Sequence, residues 1–243
     1  LYATFVRGDI LVTDATTAEM VKLMENTYRD INIAAANEFA RMSHHFGINF
    51  WEARRLANLH PRVEILKSGP GVGGHCISVD PWFLVEAAPD STPLIQQARA
   101  INDSQPVFAA SLLKEALGSL AGKKVAALGL AYKPDVDDLR ESPAIRFVEY
   151  LVEAGADVRT HEPFKPDAVV HGAEAAPTLE EAFDGADAAV LLVDHQQFKD
   201  LDPSHAARLM PGRTVLDTRG VWGAAWEQAG FTLLTLGKGR LHD

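Results

Sequence analysis

The sequence predicts an α/β protein in two parts: a long-helix part, then a parallel sheet covered on both faces. Three observations carry this expectation. Apolar residues recur at helical spacing over 14–48 and again over about 93–120. The composition changes at Gly122-Lys-Lys124. Beyond that point short apolar strands alternate with helices, as in parallel sheets whose strands are buried on both sides. The expected parts are 1–121 and 122–243.

The chain opens at Leu1, in strand-like sequence over 2–13, as a piece of something longer would. The first long helix can be capped by Asp14, or by Thr16 with Glu19 completing a capping box. Lys22, Asn26 and Arg29 share one stripe of it. That stripe is either a solvated face or, for Asn26 above all, a group seeking partners, because asparagine is a middling helix former. Gly47 ends the helix, and a shorter one over 49–58 stops at His60-Pro61-Arg62. The second long helix spans 93–120, with Pro106 expected to kink it. Strands are then expected at 125–131, 157–161, 188–193, 214–217 and 231–236, and helices at 143–154, 179–183, 206–210 and 222–229.

Composition excludes several function classes. With 33 acidic against 23 basic residues the net charge is −10, which argues against a general nucleic-acid or anionic-membrane binder but leaves room for a local basic pocket. A single cysteine makes no internal disulfide and fits a reducing cytoplasm. No apolar run approaches the ~20 residues of a membrane span, and no signal peptide is seen.

The richest stretch is Gly69-Pro-Gly-Val-Gly-Gly-His-Cys-Ile-Ser-Val-Asp-Pro-Trp-Phe-Leu84. Its glycines, Gly69, Gly71, Gly73 and Gly74, let backbone approach a ligand with no Cβ in the way. The run 77–84 reads as an apolar element that fixes Cys76 at its entrance. If helical, it sets Cys76 and Asp80 at i and i+4 on one face, and a thiol near a helix start gains thiolate character from the unpaired N–H groups there. Cys76 is then a candidate nucleophile; the competing reading is a small buried hydrophobe beside a turn. Arg62 and Lys67, just ahead, are either cations for an anion or plain surface, and His75 has no assigned role. The first strand–helix connection, Gly129-Leu-Ala-Tyr-Lys, lacks the dinucleotide fingerprint. In its place Arg140 precedes a helix that Ser142 can cap, a natural seat for phosphate. The expected strand ends carry Tyr132-Lys133, Glu162-Pro163, Asp194-His195 and Asp217-Thr-Arg219, where ligands of such sheets sit.

Taken together, 16–29, 69–84 and 129–144 resemble the UDP-glucose/GDP-mannose dehydrogenase family, and the likeness covers essentially the whole chain. It corresponds to that family's central helical dimerisation domain followed by its Rossmann-like UDP-binding domain, without the N-terminal Rossmann domain. Within the family, 74–83 and Asn58-Leu-His-Pro-Arg-Val63 look most like members acting on UDP-N-acetyl-D-mannosamine, with those acting on UDP-N-acetylglucosamine the nearest competitor.

The resemblance implies a homodimer through the long helices, NAD as cofactor with its main site in the absent domain, and no metal. It implies oxidation of a sugar C6 alcohol to a carboxylate in two steps. Cys76 would match the nucleophile that forms a thiohemiacetal and then a thioester. Lys22 and Asn26 would match helix residues that stabilise oxyanion charge, and Asp80 the aspartate that handles water or a proton. Arg62 matches an arginine sent across the dimer, and Lys67 a lysine on the substrate. Gly73, Tyr132, Lys133 and Arg219 match substrate positions, and Arg140 an arginine that reaches NAD phosphates. On this reading the 243 residues alone are inactive. A non-catalytic UDP-sugar-binding or dimerisation module is the alternative, but it has no need of Cys76, Asp80, Lys22 and Asn26 together. An epimerase would space its tyrosine and lysine across a helix turn, whereas Tyr132 and Lys133 are adjacent.

Overall fold

A computed structural model describes residues 1–239. The first helix starts on Asp14, whose carboxylate accepts the Thr17 backbone N–H at 3.0 Å, and α1 runs from there over Ala15–His45. Thr16 and Glu19 therefore lie inside the helix and form no capping box. The strand expected over 2–13 is absent. A single 3-10 turn, Tyr2–Thr4, is followed by exposed chain in which Leu11 and Val12 face solvent. A strand needs a neighbour for its N–H and C=O groups, and no described strand runs beside this segment.

Helix α2 (Phe50–Ala57) is capped by Asn49, and α3 (Asp80–Ala87) and α4 (Pro93–Leu117) follow. Helix α4 continues through Pro106 and stops at Leu117, because Gly118 takes φ +73° and turns the chain out of the helix.

The contact between α1 and α4 is polar and buried. Arg99 and Asn102 of α4 donate to Asp30 Oδ1 at 2.6 and 2.8 Å. Asn37 Nδ2 donates to Asn102 Oδ1 at 2.9 Å. The Asn37 oxygen in turn accepts from the Ser68 hydroxyl at 2.9 Å and the Gly69 N–H at 3.2 Å, which moors the start of the glycine stretch. Past Pro106 the same helix changes character. Ala109, Ala110, Leu112 and Leu113 are buried in the core beneath the sheet. One helix thus serves both parts of the chain.

The sheet holds β1 (Lys124–Leu128), β2 (Asp157–His161), β3 (Glu174–Ala175), β4 (Ala188–Leu191), β5 (Thr214–Asp217) and β6 (Thr232–Thr235). Their order is β3-β2-β1-β4-β5-β6, with every pair parallel. Strand alternation divides the core. Val125 and Ala127 of β1 and Ala188 and Val190 of β4 face α4 and α5 (Pro143–Glu153). Ala126, Leu128, Ala189 and Leu191 face the other way. There they meet α6 (Leu179–Phe183), α7 (Gln196–Lys199), α8 (Pro203–Leu209) and α9 (Ala224–Gln228). The two-residue β3 and four-residue α7 were not expected, being too short to show a period. The order reverses between β1 and β4, which opens a crevice at their carboxyl ends.

After β6 the chain returns to the helical part. Gly237 C=O accepts the Phe50 N–H at 2.9 Å, and Leu236 C=O accepts the Trp51 indole N–H at 2.9 Å. Among the described residues no helix is long and apolar enough to cross a membrane.

Replacing Asn37 by alanine leaves Asn102, Ser68 and Gly69 with buried, unpaired groups. The Asn37→Ala variant is expected to lose about 2–4 kcal/mol of stability in urea unfolding, against about 0.5 kcal/mol or less for Lys114→Ala on the exposed face of α4. Equal midpoints for the two variants would show that the network does not hold the helices together.

Candidate functional site

The glycine stretch threads between α4 and the β1–α5 loop. A Cβ on Gly73 would lie 2.5 Å from the Glu141 carbonyl oxygen and 2.7 Å from Pro143 Cδ. One on Gly71 would lie 2.7 Å from Pro143 Cβ and 3.4 Å from the Asn102 carbonyl. The Gly74 N–H donates to the Arg140 carbonyl at 3.1 Å. These glycines let the stretch pass close to other parts of the protein, and a Cβ on Gly73 would face the β1–α5 loop. Residues 69–74 also spell the letters of the dinucleotide fingerprint, but no strand precedes them and no helix opens directly on them.

Cys76 sits in the turn that follows. Its carbonyl accepts the N–H groups of Val79 at 3.1 Å and Asp80 at 2.7 Å, and the Ser78 hydroxyl bonds the Gly74 carbonyl. Helix α3 begins only at Asp80, so the half-buried thiol stands one turn ahead of it, and the expected shared helix face does not form. The Asp80 carboxylate instead reaches α1, where Asn26 Nδ2 donates to its Oδ2 at 2.5 Å. Asn26 is buried, as its type suggested. Lys22 is not brought in. Residues 15–22 are exposed all round, and Lys22 Nζ lies 3.3 Å from Glu25 instead. Arg29, Arg62 and Lys67 are likewise exposed.

His75 Nδ1 lies 3.2 Å from Cys76 Sγ, and its Nε2 lies 4.0 Å from Asp138 Oδ2. Arg140 grips Asp138 with Nε at 2.9 Å and Nη2 at 2.7 Å. That two-pronged hydrogen bond, with a further one from the Arg140 backbone, holds the Asp138 carboxyl far below the usual carboxylate range. Arg140 is thus paired on its own loop, its side chain still 65% exposed, and it does not line the sheet crevice.

The narrow crevice at the β1 and β4 ends is lined by Tyr132, Lys133, Asp194 and Arg219, with Pro70 and Gly71 of the glycine stretch closing one side. Three of the residues expected to hold UDP therefore meet here. Lys133 Nζ stands 5.3 Å over the Tyr132 ring, a cation–π distance. Arg219 Nε donates to Asp194 at 2.9 Å. Burial pushes the Asp194 carboxyl up, but the Arg219 charge and hydrogen bond outweigh it and leave the group below its ordinary value. Asp217 at the end of β5 fixes this loop by accepting the N–H groups of Arg219, Gly220, Val221 and Trp222. The Tyr132 ring also meets His75 edge-on at 6.5 Å, which links the crevice to the thiol.

The sequence reading missed one element of the site. Glu162 and His195 form a buried pair behind the crevice. The Asp135 N–H donates to His195 Nδ1 at 2.8 Å, so the ring carries its proton on Nε2 and donates it to Glu162 Oε2 at 3.0 Å. That same oxygen accepts the N–H groups of Leu130 at 2.7 Å and Ala131 at 3.0 Å. Together they fix the loop that carries Tyr132 and Lys133. The only signal was Glu162-Pro163 and Asp194-His195 at strand ends, which in sequence look like any polar ends.

The UDP-binding domain of the UDP-glucose/GDP-mannose dehydrogenase family matches residues 126–224, and the central domain of that family matches residues 16–104. A UDP-N-acetyl-D-mannosamine dehydrogenase of Methanocaldococcus jannaschii is 47% identical over 244 residues, covering 99% of this chain and 56% of that protein. An NDP-N-acetyl-D-galactosaminuronic acid dehydrogenase of Ralstonia nicotianae is 48% identical over 228 residues, covering 92% of this chain and 52% of its own. The solved structure of a UDP-D-ManNAc dehydrogenase from Pyrococcus horikoshii superposes with a TM-score of 0.89 at 43% identity, covering 99% of this chain and 56% of that one. The chain spans about half the length of the curated relatives it matches.

Burial pushes the Glu162 carboxyl up, but the hydrogen bonds from His195, Leu130 and Phe164 outweigh it, and the group ends below its ordinary 4.5. A carboxyl depressed in the folded state stabilises the fold fully above pH 4.5, and that contribution fades as pH falls through its folded value. Glu162→Gln is therefore expected to cost about 1.5–3 kcal/mol at neutral pH. The gap in melting temperature between variant and parent should narrow on acidification below pH 4.5. A gap that stays constant would show that the Glu162 charge is not what the loop depends on.

Proposed function

We propose, for a chain that belongs to the UDP-glucose/GDP-mannose dehydrogenase family, that the protein oxidises the C6 alcohol of UDP-N-acetyl-D-mannosamine to the carboxylate in two steps, with NAD as the oxidant. UDP-N-acetylglucosamine and UDP-glucose are the alternative substrates. The reading rests most on the position of Cys76. Its turn ends in Asp80, bonded to Asn26, and its neighbour His75 meets Tyr132 of the crevice.

The residues divide the work as follows. Tyr132 offers a ring for the uracil to stack on, and Lys133 and Arg219 offer cations to the diphosphate. Cys76 adds to the C6 aldehyde and keeps it covalently bound as a thiohemiacetal, which after oxidation is a thioester. Asn26 donates to the oxyanion, joined by Lys22 once substrate draws that exposed side chain in. Asp80 activates the water that releases the acid. Lys67 meets the substrate, and Arg62 serves the substrate of a second copy. A homodimer is supported by the apolar side chains that α1 leaves exposed, Met20, Met24, Tyr28, Phe39 and Met42.

NAD supplies the hydride acceptor when bound. The sheet of this chain does not fit it. No dinucleotide fingerprint follows β1, and the acid at the end of β2, which would bind a ribose in such folds, is spent on Leu130 and Ala131. The reading therefore places NAD on the half of the relatives that these residues do not span, with Arg140 at most an outlying contact, and it leaves the 243 residues inactive by themselves.

The test is NADH formation by the whole protein with each of the three sugars. UDP-N-acetyl-D-mannosamine is expected to be oxidised fastest, with two NADH formed per sugar. Cys76→Ser is expected to lower kcat by about a thousandfold or more while UDP-sugar affinity is kept. Turnover unchanged in Cys76→Ser, or none with any UDP-sugar in the parent, would defeat the reading.

A further inference from the structure

We propose that His75 takes the Cys76 thiol proton as the thiol adds to the substrate aldehyde, with Asp138 orienting the imidazole and Arg140 holding Asp138 in place. The inference rests on reading Cys76 as the nucleophile, and it gives a catalytic role to the one residue of the glycine–cysteine stretch that had none.

Four groups stand in line. Sγ is 3.2 Å from His75 Nδ1, within reach of a sulfur hydrogen bond. The other ring nitrogen is 4.0 Å from Asp138 Oδ2, which favours the tautomer with its proton on Nε2 and leaves Nδ1 free to accept. Asp138 lies beyond β1, more than fifty residues from Cys76, so its presence is a product of the fold and not of neighbouring sequence. Arg140 keeps Asp138 ionised and is itself close enough to feel charge on Cys76. A thiolate at Cys76 would thus face an imidazolium and a guanidinium, with one carboxylate to balance them.

Among the described residues His75 is the candidate base whose side chain bonds the Cys76 sulfur. The Asp80 carboxylate is bonded to Asn26, and Asp80 touches Cys76 only through its backbone N–H. Tyr132 meets the His75 ring edge-on. In the step itself the Sγ–C6 bond forms, the carbonyl π pair moves to oxygen, and the thiol proton passes to Nδ1. No oxidant is consumed in that addition.

The experiment measures iodoacetamide alkylation of the Cys76 peptide by mass spectrometry, on the whole protein, across a pH range from acid to alkaline. His75→Asn and His75→Gln are expected to slow alkylation about tenfold near neutral pH. Asp138→Asn should move it in the same direction by less. The His75 side chain is 51% exposed, so both replacements are expected to fold, and UDP binding equal to the parent checks this. In the dehydrogenase assay, kcat should fall about a hundredfold with little change in KM. Superimposable alkylation profiles for the parent and both His75 variants would overturn the proposal, even if the parent oxidises UDP-sugars. Absence of any such oxidation would overturn the functional reading instead, with the alkylation profile still deciding on His75.

Discussion

The arrangement depends on one close crossing of backbones. Between α4 and the β1–α5 loop there is no space for a side chain at Gly71 or Gly73, so the segment that carries Cys76 can pass only as bare chain. The Gly74 N–H then fastens it to the Arg140 carbonyl. This crossing brings His75 to Asp138 and Tyr132, and lets Pro70 and Gly71 form one side of the crevice. The two functional regions are therefore not independent modules. Each borrows a wall from the other.

Helix α4 makes that crossing possible. Its first half must be polar to meet Asp30 and Asn37 of α1, and its second half must be apolar to lie under the sheet. A buried ion pair such as Arg99 with Asp30 gives little net stability, because both charges lose their water. What it adds is register: only one sliding position of α4 on α1 satisfies Arg99, Asn102 and Asn37 together, and that position sets where the glycine stretch is moored.

Much of this was legible in the sequence, and the rest was not for identifiable reasons. The long helices and the buried strands showed through periodicity, and the order of alternation implied the parallel sheet. The strand expected over 2–13 shows the limit, since a β-rich composition forms no strand without a neighbour. Asn26 was correctly singled out by its residue type, but Lys22 on the same stripe was not gathered, because burial along α1 begins only beyond it. That Arg140 pairs with Asp138, two residues ahead, is a matter of side-chain geometry, which the order of residues does not fix. Glu162 and His195 stand 33 positions apart and meet only through the β1–β2–β4 pairing, so no local pattern could reveal them.

The same strand-end acids explain how an acidic chain can present a crevice suited to an anion. Three carboxylates, Glu162, Asp194 and Asp217, line the carboxyl edge of the sheet, and left free they would repel a diphosphate. None is left free. Glu162 is satisfied by Leu130, Ala131, Phe164 and His195, Asp217 by four backbone N–H groups, and Asp194 by Arg219. The acids become fixed points for the loops, while Lys133 keeps its charge toward solvent. Local pairing outweighs net charge because surface charges farther off than about 8 Å are largely screened at physiological salt. In a dinucleotide-binding sheet the acid after β2 faces the ligand; here it faces inward, and that reversal turns the fold from a reader of ribose into a rigid frame for Tyr132 and Lys133.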